Sequence, residues 1–143
     1  MGMNKNYTIS IDKSKLNVAV IHDYLCNRSY WAKGRTLEIV QKSIDNSLCF
    51  GAYDNEGQQV GFARVITDLA IYAYLLDVFV LEQYRGMGIG KQLIQFIVEY
   101  PHLENIRVWR LDTKDAHGLY RKYGFIDLKS PDKAMEKRQA ADR

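Results

Sequence analysis

Cysteine and proline are both scarce, with two of each in 143 residues. The cysteines, Cys26 and Cys49, lack CxxC spacing, so neither a disulfide framework nor a zinc ribbon is indicated, and a reducing compartment is expected. Apolar runs fall well short of the roughly 18 residues that cross a bilayer, and the opening Met1-Gly2-Met3-Asn4-Lys5-Asn6 has no hydrophobic region of a secretion signal. A soluble, cytoplasmic protein with no membrane partner is therefore expected. A strong charge imbalance is missing too, the formal net charge being +3. Nucleic-acid binders need charge clustered on one face, and the basic tail from Lys133 to Arg143 brings no aromatic platform, so no nucleic acid is expected as partner. What is present is ordinary for a globular domain, with 47% hydrophobic, 26% charged and 12% aromatic residues. One domain over residues 1–143 is expected, with 129–143 partly frayed.

Periodicity predicts an α/β domain. Tyr7–Ile11 reads as a first strand, residues 14–27 as a first helix, and Thr36 as the cap of a second helix bearing Leu37, Val40 and Ile44. Asp54-Asn55-Glu56-Gly57 separates two β-rich runs, 48–53 and 60–67, as a hairpin turn. Residues 74–81 are apolar on both faces, as in a central strand covered on both sides. A glycine segment and a helical stripe through Ile89, Leu93, Phe96, Ile97 and Tyr100 follow, ending at Pro101. Further strands are predicted at 105–113 and 125–128, with a short helix at 115–122 between them. The order points to a mixed, mostly antiparallel central sheet with helices on both faces.

The segment Arg85-Gly86-Met87-Gly88-Ile89-Gly90-Lys91 joins a buried strand to a helix. Glycines permit tight turning there, and successive N–H groups at a helix N-terminus favour an anion such as a phosphate. Arg85 and Lys91 add positive charge that would oppose the helix dipole without one. Spacing excludes a Walker loop, since Gln92 follows Lys91, and a dinucleotide fingerprint, since Lys91 stands where the third glycine belongs.

The run from Asp77 to Lys91, followed by Leu119-Tyr120-Arg121-Lys122-Tyr123-Gly124-Phe125, resembles the GNAT family of N-acetyltransferases. That family's acyl-CoA signature, Arg or Gln, two residues, Gly, one residue, Gly or Ala, matches Arg85, Gly88 and Gly90. The resemblance implies a GNAT fold. It implies that acetyl-CoA lies where strand 74–81 separates from strand 106–113, held by backbone groups of Phe79 and Val80 and by the N–H groups of Gly86, Met87, Gly88, Ile89, Gly90 and Lys91. It also implies a final strand near 134–138, against the local helical propensity of that tail.

Tyr120 occupies the position of the family's general acid, although aromatic residues at helical spacing are commonly core. Asp77, flanked by apolar residues, is a candidate base. Alternatively, a hairpin turn centred between Ala70 and Ile71 would set it opposite Arg64 as an ion-pair partner. Glu82 or a water chain could serve as base instead. Where many members carry an asparagine before the acid helix, this chain has Thr113-Lys114-Asp115-Ala116-His117. Asp115 there is a candidate helix cap, and His117 a candidate contact to cofactor or substrate. By the same resemblance Tyr30, Trp31 and Arg35 are candidate acceptor contacts, the guanidinium suiting a carboxylate. Tyr72 and Tyr74 are weaker ones. His22 and Cys26 sit at ligand-pair spacing without further ligands, so no metal is expected. These readings converge on an acetyltransferase moving an acetyl group from acetyl-CoA directly to a small-molecule amine. The rival is a non-catalytic acyl-CoA-binding or sensing domain. A homodimer is the ordinary prior for a soluble enzyme.

Overall fold

In the computed structural model, which describes residues 6–139, β1 (Thr8–Ser10) precedes two helices, α1 (Val18–Asp23) and α2 (Leu37–Asp45). Then come β2 (Leu48–Tyr53), β3 (Gln59–Thr67), β4 (Tyr72–Val80), α3 (Ile89–Val98), β5 (Val108–Arg110) and α4 (His117–Arg121). The five strands form one sheet in sequence order. The first four pair antiparallel and β5 joins β4 in parallel, which requires the crossover that α3 supplies. The expected mixed sheet is thus present, with helices on both faces.

Each face buries its own cluster. On one, Ile21, Leu25, Val40 and Ile44 of the first helices pack on Cys49, Phe62 and Phe79. On the other, Leu93, Ile94 and Ile97 of α3 pack on Phe50, Ala63, Val65 and Leu75. All three α3 side chains are fully buried, each worth about 1.5–3 kcal/mol relative to exposure.

Local chemistry sets the element ends. Thr36 Oγ1 accepts from Ile39 N (3.2 Å), capping α2 as predicted. Asp54 Oδ1 accepts from Glu56 N and Gln58 N at 2.9 Å each, closing the β2–β3 turn.

Several expectations are corrected. The first helix is not continuous. A 3₁₀ turn covers Lys13–Lys15, Asn17 Oδ1 caps α1 through Val20 N (3.1 Å), and Tyr24–Arg28 widens into a π turn. Asn17 competes for the backbone as a cap rather than continuing a helix. Strand 105–113 shortens to β5, because only Tyr72–Tyr74 of β4 runs alongside it. Residues 125–128 and 134–138 form no strand. Ile126 and Leu128 are exposed, so their apolar alternation lacks a sheet face to bury against. The expected final strand loses with it the neighbour it needs. Asp115 does not cap α4. Ala116 is the cap residue, and its N–H goes to Thr113 Oγ1 (3.0 Å). The frayed end expected through 143 lies outside the described residues from 140 onward.

The β3–β4 ladder shifts register. Phe62 faces Phe79 and Gly61 faces Val80, but nearer the turn Arg64 faces Leu76, not Asp77, and Val65 faces Leu75. One extra residue of β4 is absorbed opposite Ala63 as a bulge. Asp77 sits there with φ +55, a left-handed conformation that Asp and Asn tolerate better than other side chains and that costs about 1–3 kcal/mol.

Candidate functional site

β4 and β5 pair only from Tyr72 to Tyr74 against Val108 to Arg110. Beyond Tyr74 the strands part. Leu81 N donates to Val60 O (2.9 Å), so Leu81 and Phe79 spend their backbone groups on β3, and ladder alternation turns those of Val78 and Val80 into the gap. Arg85 Nε donates to Val80 O across 3.1 Å. Val78, absent from the sequence-predicted set, therefore joins Val80 as a backbone contributor. Phe79 contributes its ring, stacked on Tyr24 with centroids 4.1 Å apart. The phase of the ladder carries the missed signal, because the Leu81–Val60 hydrogen bond fixes which residues of β4 face outward.

At the end of the gap the chain turns through Gly86 (φ +83) and Gly88 (φ +82), which caps α3. Both require glycine for their backbone angles. The N–H groups from Gly86 to Lys91 have no acceptor among the described residues. Unpaired donors converging at a helix N-terminus form a cradle for a phosphate-like anion. Arg85 is held beside them by Val80 O and by Tyr24 Oη (2.5 Å). Met87 is tied from below, its Sδ accepting from Tyr7 Oη (3.2 Å). These elements border a cavity of about 560 Å³ that Tyr30, Trp31, Val78, Leu119 and Tyr120 also line.

Tyr120 stands on α4 between this cavity and a second one of about 390 Å³. Its ring packs edge-on to Phe125 (5.7 Å), and Tyr123 Oη anchors the same segment to Lys91 O (3.2 Å). The Tyr120 hydroxyl makes no hydrogen bond within the described residues. Burial, helped by nearby Tyr30, pushes its pKa up to about 12. The proton therefore stays on at neutral pH.

Asp77 is 1% exposed and fully engaged. Its Oδ1 accepts from Trp31 Nε1 (2.8 Å), while Oδ2 accepts from both Arg35 Nη1 and Arg64 Nε, each at 2.9 Å. The ion pair with Arg64 thus exists although the residues are not direct cross-strand partners, because the bulge swings the carboxylate onto the Arg64 face. Trp31 and Arg35 meet at Asp77. Tyr30, edge-on to Trp31 (5.0 Å), reaches across the gap, its hydroxyl accepting from Lys114 N (3.0 Å).

The remaining candidates lie elsewhere. Glu82 is paired with Arg28 at 2.7 Å. His117 lines the second cavity, not the gap. Tyr72 is exposed and Tyr74 Oη donates to Asp112. Among the described residues no His, Cys, Asp and Glu cluster could hold a metal ion, and no helix is long and apolar enough to cross a membrane.

The split sheet with a cradle of backbone donors beside it is the arrangement that the family resemblance implies, and comparison with known proteins agrees. Residues 45–127 match the acetyltransferase (GNAT) domain. The chain belongs to the GNAT acetyltransferase family. It is 29% identical over 149 aligned residues to a Gibberella zeae protein named as an acetyltransferase, covering 89% of this chain and 83% of the relative. A crystal structure from Xanthomonas campestris pv. campestris, described as a GNAT-family acetyltransferase, is 45% identical, with a TM-score of 0.92 over 96% of both chains. A Clostridium acetobutylicum acetyltransferase solved with acetyl-CoA shares the fold alone, at 18% identity and a TM-score of 0.69 over 94% of this chain and 96% of that one.

Proposed function

We propose that this acetyltransferase uses acetyl-CoA as its acyl donor and passes the acetyl group directly to the amine of a small molecule. The observation that carries this is the unpaired N–H run from Gly86 to Lys91, continuous with the outward-facing backbone of Val78 and Val80. The acetyl-CoA of the Clostridium relative supports the same donor here. Acetyl-CoA supplies a thioester already activated toward a neutral amine.

The chain's own residues then bind, orient and move a proton. Backbone donors from Gly86 to Lys91 neutralise the pyrophosphate charge, with Arg85 adjoining them. Val78 and Val80 align the acyl arm along β4, so binding supplies much of the rate through orientation. Tyr120, protonated and free of internal partners, is the general acid for the departing thiolate. Asp77 is not the base, because both of its oxygens already accept hydrogen bonds, from Trp31, Arg35 and Arg64. The acceptor proton leaves through water. A cytoplasmic location, in keeping with two free cysteines, belongs to the same reading.

The test is CoA release from acetyl-CoA over a panel of small amines, with wild type and Tyr120→Phe. Turnover that drops by roughly 10²- to 10⁴-fold in the variant is expected. Tight acetyl-CoA binding with no turnover on any amine would instead mark an acyl-CoA sensing domain.

A further inference from the structure

Two guanidinium groups share one carboxylate oxygen at the bulge. Arg35 through Nη1 and Arg64 through Nε each bond Asp77 Oδ2 at 2.9 Å, and the other oxygen is taken by the Trp31 indole. No second carboxylate pairs with either arginine among the described residues, so the cluster carries one uncompensated positive charge. Its side chains are largely withdrawn from water, at 23% exposure for Arg35 and 8% for Arg64. A charge held at such low exposure is costly unless a counter-ion or solvent reaches it.

The free edges are also in the right state to receive one. Arg35 Nε and Nη2 make no hydrogen bond within the described residues, and Arg64 makes only a long one beyond Asp77, to Ser47 Oγ at 3.5 Å. Arg35 keeps 23% of its side chain exposed, so its unused Nε and Nη2 edge is the part of the cluster that solvent or a counter-ion can reach. Asp77 directly precedes Val78, and Trp31, bonded to Asp77, lines the same cavity as Val78.

We propose that this cluster is the acceptor's anion subsite, and that the amine acetylated by this chain carries a carboxylate. The inference rests on the acetyltransferase reading above and names its substrate class. Asp77 is then a positioning residue. By occupying one edge of each guanidinium, it turns the remaining donors toward an incoming anion, and through Trp31 it holds the aromatic wall beside it. A single uncompensated charge matches a carboxylate better than a phosphate dianion, and a planar fork pairs with it bidentately. Trp31 and Val78 line one cavity, so an acid whose amine is a few bonds from its carboxylate, as in an amino acid, would place its amine in that cavity while its carboxylate meets the cluster.

The experiment has two arms. In the first, N-acetylglycine, N-acetyl-leucine and Nα-acetyl-lysine are titrated calorimetrically into the CoA-loaded protein against their neutral amides. Each acid should bind about tenfold or more tighter than its amide, the scale of a charge-assisted hydrogen bond, and Arg35→Gln should erase that difference while acetyl-CoA still binds. Equal binding of acids and amides, or no binding of either, would overturn the proposal. In the second arm, kcat/KM is measured for amino acids and for the amines left by removing their carboxyl groups. Arg35→Gln should lower the value for the acids at least tenfold more than for the amines. Turnover without preference for the acids would remove the subsite and leave the acetyltransferase reading standing. Selective binding in the first arm with no turnover in the second would do the reverse.

Discussion

The two walls of the cleft are built from different materials. On the cofactor side, the cradle from Gly86 to Lys91 and the outward edge of β4 offer main-chain groups, and most side chains there are interchangeable. On the proposed acceptor side, Asp77 gathers Trp31, Arg35 and Arg64, and every contact there is made by side chains. A backbone site tolerates substitution except where the turn itself needs a special angle. A side-chain site fails when any one partner is removed. The contrast suits an enzyme with a fixed donor and a selected acceptor.

The largest effect should come from breaking the Asp77 cluster. Asp77→Ala strands two low-exposure guanidinium groups, a loss of about 3–5 kcal/mol when one partner of a buried pair is removed, to be read from urea unfolding. A change below about 1 kcal/mol would show that the cluster is solvated rather than structural.

Tyr120→Phe probes the seam between the walls, with the kcat loss given above and acetyl-CoA affinity nearly unchanged. Its pH dependence has a definite sign. Burial raises the folded pKa to about 12, above the ordinary tyrosine value of about 10. The stability this contributes is complete below that ordinary value and is lost as pH rises from it through about 12. The phenylalanine variant should flatten this part of the alkaline loss.

Smaller still, and on the cofactor side, Gly88→Ala strains the turn at φ +82 by about 1–2 kcal/mol; the free turn sheds that strain by leaving the cradle geometry and binding must restore it, so acetyl-CoA should bind roughly tenfold more weakly. Gly90→Ala should bind within about twofold of wild type, because its added Cβ meets only Val80 Cγ2 at 3.9 Å and needs no special backbone angle. Equal damage from the two would break the comparison. Thr36→Ala removes a helix cap and should cost about 1 kcal/mol of stability with little change in acetyl-CoA affinity.

The same division decides how much could be read from the sequence. Gly86, Gly88 and Gly90 advertise the cradle, since glycine spacing reports backbone geometry, and the apolar stripes place β4 and α3 well. The Arg64–Asp77 ion pair is among the alternatives that the sequence offers, but the arrival of Arg35 and Trp31 at the same carboxylate is not. It depends on a one-residue bulge opposite Ala63, which apolar alternation cannot encode, and on a loop brought from far along the chain. Val78 is hidden because residue types do not reveal which alternate residues of a strand spend their backbone groups on its neighbour. At the C-terminal end, alternation at Phe125–Leu128 suggested a strand, yet a strand needs a paired neighbour, which pattern alone does not provide.

The central claim is that main-chain donors from Gly86 to Lys91 hold the pyrophosphate of acetyl-CoA, and calorimetric titration of acetyl-CoA into the protein, alone, with adenosine diphosphate as competitor, and with Arg85→Glu, tests it most directly. The account predicts binding that the diphosphate displaces and that the charge reversal abolishes. No binding at millimolar acetyl-CoA, or binding indifferent to both perturbations, would contradict it.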